Sequence, residues 1–472
     1  MPILKSRFDP RLAAAVTASR LSRQAIQRLG RGGGTSAPGV IAQRVDPAIL
    51  RKLSDRVAQG TIVVAGTNGK TTTSRMIANI LEASGASVIH NRSGSNLVRG
   101  AISALADRSN WIGQPGGEIA VIETDEAAFP EVVRDTRPRM ILLNNLFRDQ
   151  LDRYGELDTV ARKWRGALEL LGEETTVVVN ADDPSLMAIT DDLRVKRMTF
   201  GLQTQDHRLA TLPHAADSST CRTCGADLEY HALYVSHLGD WYCPNCGRKR
   251  PDLDVIGTDV TLRGMDALSL MVRAGEDSIA VELGVPGLYN AYNALAAVAA
   301  ARNLVVETPV IQRSLAEFRA AFGRLERMTY RNRHLTMILV KNPVGFNEVL
   351  RMLTAETGSL DRPALIAIND LDADGRDVSW LWDVDFELLA DGSSTISTTG
   401  IRGTDMANRL KYAGVELQRL APLPDDLATG LERWIESIPE GELAVLLPTY
   451  TAMLEIRRIL ASKGATDAFW KQ

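Results

Sequence analysis

No apolar run in the sequence approaches the ~20 residues that a membrane-spanning helix needs. Neither sign of charge dominates: 54 Lys and Arg against 58 Asp and Glu leave a formal net charge of −4. Bulk electrostatics therefore do not point to nucleic acid. The N-terminus also lacks a signal-peptide core, because Leu12-Ala13-Ala14-Ala15-Val16 is short and Arg20 follows it. A cytoplasmic protein is expected. Cysteine is scarce too, and its four copies all fall between 221 and 246.

What is present suffices for ordinary soluble cores. Hydrophobic residues make up 45% of the 472 and charged residues 24%, a length that predicts two or three domains. Residues 1–34 are basic, with Asp9 the sole acid. That composition fits either an organelle transit peptide or a basic amphipathic helix lying on the protein or near an anionic membrane face. The second is preferred, since nothing else points to an organelle. Asp46 to Gln59 reads as a capped helix.

The stretch TIVVAGTNGKTTT, Thr61 to Thr73, is a short apolar strand, a glycine turn and a helix start. Gly66 and Gly69 let the backbone curl so that N–H groups around Thr67 and Asn68 face an anion. Lys70 adds positive charge toward the outer phosphates, and a hydroxyl of Thr71 or Thr72 can ligate Mg²⁺. The form is GTxGKTT and not GxxxxGK[ST], because Val64 stands where that pattern needs glycine. An ordinary strand-to-helix turn is the plainer reading, and the flanking strand and amphipathic helix argue against it. The predicted ligand is ATP.

Further strands read at 87–90, 119–126 (ending in three acids), 140–146 and 176–184, alternating with helical stretches, which predicts a mostly parallel sheet covered on both faces. Ligands in such sheets sit at the strands' carboxyl ends, where Glu123, Asn144 and Asn180 to Asp183 fall. Glu123 is read as the Mg²⁺ ligand facing the loop, because the ion prefers hard oxygen. Asp125 and Glu126 are read as solvated caps of the next helix. Asn290 and Asn293 lie one turn apart and are placed to reach a base or phosphate together. Arg324 either reaches the γ-phosphate or sits exposed between domains.

Cys221-x2-Cys224 and Cys243-x2-Cys246, eighteen residues apart, have the spacing of a four-thiolate zinc ribbon. A cytosolic setting disfavours the disulfide reading. Four thiolates leave no open position, so the zinc is structural. The insertion, roughly 218–251, offers a docking surface, and binding of nucleic acid by a ribbon is the weaker option. From Tyr330 a second α/β pattern begins, with an acidic loop, Asn369 to Asp383, following a buried strand.

In order along the chain, GTNGKTT, Glu123, NADDP at 180–184, YNxxN at 289–293 and GRxE at 323–326 resemble the Mur ligase family. Members activate a carboxylate of a peptidoglycan precursor as an acyl phosphate with ATP, and an amine attacks it. The resemblance implies a Mur ligase-like P-loop domain over 56–325 with the zinc ribbon within it. Before it comes a basic leader and helix (1–55), and after it a Rossmann-like α/β domain (330–472). Two departures narrow the resemblance. Gln150 stands where the DHLD histidine would be, and ILVKNP replaces DYAHNP, without the aspartate that helps hold an incoming amino acid.

The ribbon, KNPVGFNEV and DADGRDVSWLWD are similar to the MurT family of synthetase subunits. That similarity implies amidation of the D-glutamate α-carboxylate of lipid II at the inner membrane face. It also implies ammonia from a GatD-like glutaminase partner, whose Cys-His pair an acid of the C-terminal domain completes; among Asp370, Asp372, Asp374, Asp377 and Asp383 the choice is Asp377. The alternative is a stand-alone ligase adding an amino acid. All four cysteines are committed to zinc, so no thiol is left for glutamine hydrolysis.

Overall fold

The structure is a computed structural model that describes residues 8–28, 37–91, 96–148, 157–319 and 325–465. Among these a nine-stranded sheet has the order β11-β10-β9-β6-β5-β4-β1-β3-β2. Its parallel strands are β1 (Thr61–Ala65), β2 (Val88–His90), β3 (Ile119–Glu123), β4 (Met140–Leu143), β5 (Thr176–Asn180) and β6 (Lys196–Leu202). β1, β3 and β4 are buried along their whole length, as expected of strands covered on both faces. Their side chains alternate between two cores. Ile62 and Val64 join helices Lys70–Ala83 and Leu288–Asn303, whereas Val63 and Ala65 join Phe129, Trp164 and the N-terminal helices.

Alanines let helix Leu288–Asn303 lie in deep burial, with every residue from Ala291 to Ala301 buried. The basic helix Pro10–Arg28 lies on the protein, its Leu12, Ala15 and Val16 inaccessible to solvent. The helix predicted over Asp46 to Gln59 is shorter, Ile49–Ser54. Asp46 stays outside it, accepting from the Ala48 N–H at 3.1 Å, and a turn closed by Gly60 N–H to Val57 C=O ends the segment.

The cysteine insertion leaves the sheet after β6. It contributes its own hairpin, β7 (Glu229–Val235) and β8 (Leu238–Tyr242), and returns to β9 (Val255–Arg263), which pairs parallel with β6. β10 (Ala267–Ala274) and β11 (Asp277–Leu283) complete the sheet antiparallel.

The C-terminal sheet has the order β12-β13-β17-β14-β15-β16. Its strands are β12 (Glu326–Tyr330), β13 (Arg333–Met337), β14 (Ala364–Ala367), β15 (Ile396–Thr399), β16 (Leu420–Pro422) and β17 (Leu443–Pro448). It begins at Glu326, four residues before the predicted boundary. β12 and β13 form a hairpin whose turn, Arg331-Asn332, has both residues at positive φ (49° and 57°). The remaining pairings are parallel. Helices Pro343–Thr354 and Gly403–Tyr412 cover one face, and Leu427–Ser437 and Tyr450–Ser462 the other.

Candidate nucleotide site and cysteine cluster

The glycine loop leaves β1 at the sheet's centre. Gly66 (φ 147°) and Gly69 (φ 82°) hold backbone conformations that side chains rarely adopt, and a Cβ on Gly69 would come 2.0 Å from Asn293 Oδ1. The segment after β4 braces the loop from beside it. Thr67 Oγ1 accepts from the Phe147 N–H and donates to the Phe147 carbonyl, both at 3.0 Å. Asn145 accepts from the Asn68 N–H at 2.8 Å and donates to its carbonyl at 3.1 Å.

Lys70 is buried and folds back over the loop, donating to the Gly66 carbonyl (2.6 Å) and the Thr67 carbonyl (3.1 Å). Its ammonium also pairs with both Glu126 oxygens at 3.2 Å. This corrects the reading of Glu126 as a solvated cap. The acid is 5% exposed, and a carboxylate so buried needs a cation. Asp125, 6% exposed, accepts from the Ala127 N–H at 3.1 Å, so it is a local cap but not a solvated one.

Glu123 ends β3 next to the helix start. Thr71 Oγ1 donates to its Oε1 at 2.8 Å, while Oε2 is buried without a hydrogen-bond partner among the described residues. Asn91 fixes the backbone of Glu123 through its N–H (2.9 Å) and carbonyl (2.8 Å). An orphaned carboxylate oxygen beside a threonine hydroxyl is a donor set suited to Mg²⁺. Thr72 is buried in the same first turn.

Asn290 and Asn293 do converge on the loop, but their amides are spent within the protein. Asn293 donates to Asn290 (2.9 Å) and accepts from Thr73 (3.1 Å), and Asn290 donates to the Pro286 carbonyl (2.6 Å). Their place is behind Gly69. Arg324 and Gln150 lie outside the described residues.

The four cysteine Sγ atoms all lie within 4.8 Å of one another, with 3.6 Å between Cys221 and Cys246 and 3.4 Å between Cys224 and Cys243. A tetrahedral ion with 2.3 Å metal–sulfur bonds sets sulfurs about 3.8 Å apart. Each knuckle turns on a glycine, Gly225 (φ 75°) and Gly247 (φ 74°). The Cys224 thiol is drawn down to about 6, first by the Asn245 side chain.

The expected docking surface is only partly free, because the hairpin faces inward. His237 in its turn is wholly buried and packs on Phe147, ring centroids 4.9 Å apart. Trp241 donates to the Ala181 carbonyl at 3.0 Å and Arg250 to Asp182 at 2.7 Å, so the ribbon grips the NADDP turn. Asp183 in that turn accepts from the Leu146 N–H at 2.7 Å. No spacing rule locates this chain of contacts.

Asp377 stands apart on the C-terminal domain, exposed, with Oδ1 accepting from the Ser379 N–H at 2.8 Å. That bond holds its carboxyl below the usual range. The neighbouring acids are engaged. Asp370 pairs with Arg402, Asp372 with Arg376 and Asp383 with Arg148. Asp374, whose pKa burial raises, accepts from the Thr451 N–H at 2.8 Å. One interdomain contact that sequence reasoning missed is Asn342, at the head of Pro343–Thr354, which reaches Asn68.

A mixed sheet whose parallel part carries this loop and a facing acid, joined to a second Rossmann-like domain, defines a Mur ligase-like protein. Residues 64–246 match the Mur ligase middle domain. The fold is similar to a pseudomurein peptide ligase type C from Methanothermus fervidus, with TM-score 0.69 and 19% identity over 87% of this chain and 80% of that one.

Within that class the chain belongs to the MurT family. Residues 339–453 match the MurT ligase C-terminal model. The chain is 34% identical to the lipid II isoglutaminyl synthase (glutamine-hydrolyzing) subunit MurT of Streptococcus pneumoniae, over 94% of this chain and 96% of that one. Its identity to the protein of the same name from Staphylococcus aureus is 32%, over 93% and 95%.

Proposed function

We propose that this chain is the ATP-dependent ligase subunit of a two-protein amidating enzyme. It converts the D-glutamate α-carboxylate of lipid II to D-isoglutamine, using ammonia released from glutamine by a GatD-like partner. One observation carries the two-protein reading. The ligase parts are assembled around Lys70, Thr71 and Glu123, while all four cysteines sit in one cluster, which leaves no thiol nucleophile for glutamine hydrolysis. The names of the pneumococcal and staphylococcal relatives support the substrate and the glutamine dependence.

The loop N–H groups and Lys70 would hold the ATP phosphates, Lys70 exchanging its loop carbonyls for phosphate oxygens. Thr71 and Glu123 would hold Mg²⁺, which supplies charge neutralisation at the phosphates when bound. Transfer of the terminal phosphoryl to the carboxylate gives it a leaving group, and ammonia displaces phosphate to leave the amide. Asn290 and Asn293 support the loop from behind. Ammonia needs no amino-acid pocket, in keeping with Asn342, whose amide is committed to its helix and to Asn68. Arg324 is proposed as the arginine reaching the γ-phosphate.

Cys221, Cys224, Cys243 and Cys246 would hold a structural Zn²⁺. Asp377 is proposed as the acid lent to the partner's Cys-His pair, since it is an exposed acid of its loop held by Ser379 and by no Arg or Lys among the described residues. Among the described residues no helix is long and apolar enough to cross a membrane, and lipid II places the work at the inner membrane face.

Co-purification from the native host tests the proposal. A glutaminase subunit should accompany the chain, and the pair should amidate lipid II with glutamine and ATP. Amino-acid-dependent ATP turnover by the chain alone would instead favour a stand-alone ligase.

A further inference from the structure

Arg148 occupies a junction between the two domains. Its backbone N–H donates to Asp217 at 2.8 Å and its Nε binds the same carboxylate, which is 2% exposed. This fixes the guanidinium edge and leaves Nη2 directed at Asp383, 3.4 Å away on the other domain. The preceding residue, Phe147, is the one braced on both sides by Thr67 of the glycine loop. Asp383 ends the helical turn Ser379–Asp383, whose first N–H is held by Asp377. Alongside, His214 Nδ1 lies 3.2 Å from Asp385 Oδ1, and Asn347 donates to the other Asp385 oxygen at 2.8 Å. An unbroken row of contacts therefore runs from Thr67 through Phe147, Arg148 and Asp383 to the turn that carries Asp377.

We propose that the Arg148–Asp383 ion pair is a positioning device. It holds the Asp377 turn in register with the glycine loop, so that ammonia release is matched to amide formation. The inference rests on the function proposed above. Both side chains are more than a third exposed (36% and 37%), and such a pair adds little to stability. What it supplies is orientation, because Asp217 has already set the plane of the guanidinium. Its two ends belong to the two half-reactions.

The test uses the full chain in complex with its glutaminase partner, counting glutamate released against amide formed on lipid II, with ammonium as a second nitrogen source. Asp383→Ala removes the interdomain half of the contact and leaves Arg148 on Asp217. Ammonium-supported amidation should be unchanged, while glutamate released per amide rises about fivefold or more. Asp383→Glu should restore the ratio. An unchanged ratio in a working complex overturns the positioning role. Loss of glutamine hydrolysis itself also overturns it, by making Asp383 part of the hydrolytic centre. A wild-type complex unable to use glutamine overturns the proposed function and this inference together.

Discussion

Asn68 of the glycine loop and Asn342 of the C-terminal domain exchange side-chain hydrogen bonds, 3.0 Å from Asn342 Nδ2 to Asn68 Oδ1 and 3.4 Å in return. Asn342 Oδ1 also caps its own helix through the Gly345 N–H at 2.9 Å. One amide thus serves a helix start and the nucleotide loop. Asn342→Ser keeps a capping oxygen but is too short to reach Asn68. Thermal unfolding should then change by less than about 1 kcal/mol. Steady-state kinetics should show kcat/KM for ATP-dependent amidation lowered about tenfold. Unaltered kcat/KM would mean the loop does not need this contact.

Lys70 and Glu126 form a buried pair, so replacing the lysine has two consequences. Lys70→Ala should abolish ATP turnover, and it should also take a buried cation from Glu126, lowering stability in denaturant unfolding. Lys70→Ala combined with Glu126→Gln should recover most of that stability and none of the activity. If the double variant regained turnover, Lys70 would be a structural residue only.

Glu123 carries the metal assignment. Glu123→Gln replaces a carboxylate oxygen by an amide, and the Mg²⁺ concentration that half-saturates ATP turnover should rise by at least about tenfold. A variant with wild-type Mg²⁺ dependence would move the site elsewhere.

Much of this was legible because local chemistry and global position coincide. The glycine loop announces itself through an apolar strand followed by residues that must curl, and Glu123 through its place after a buried Ala-Val-Ile run. The pairing of Glu126 was not legible, because it depends on Lys70 folding back on the loop, a tertiary event without a sequence period. Asn290 and Asn293 sit where expected but face each other and Thr73. β12 was missed because its hairpin turns at Arg331-Asn332, without the glycine that marks such turns. The cysteine spacing revealed a four-thiol cluster yet gave no hint that His237 between the knuckles is buried against Phe147.

That burial makes the ribbon part of the site's wall. One Zn²⁺ per chain is expected by elemental analysis. Chelation, or Cys221→Ser with Cys243→Ser, should lower the melting temperature and raise KM for ATP, because the hairpin grips the turn that holds Leu146. Metal loss with unchanged KM would confine the ribbon to stability.

The central claim is a division of labour between this chain and a partner, and the nitrogen source tests it most directly. Amidation of lipid II is measured with ammonium or glutamine, for the chain alone and for its complex with the glutaminase subunit, in wild type and in Asp377→Asn. The account predicts that the chain alone uses ammonium but not glutamine, that the complex uses both, and that Asp377→Asn loses only glutamine. Glutamine-dependent amidation by the isolated chain would contradict it.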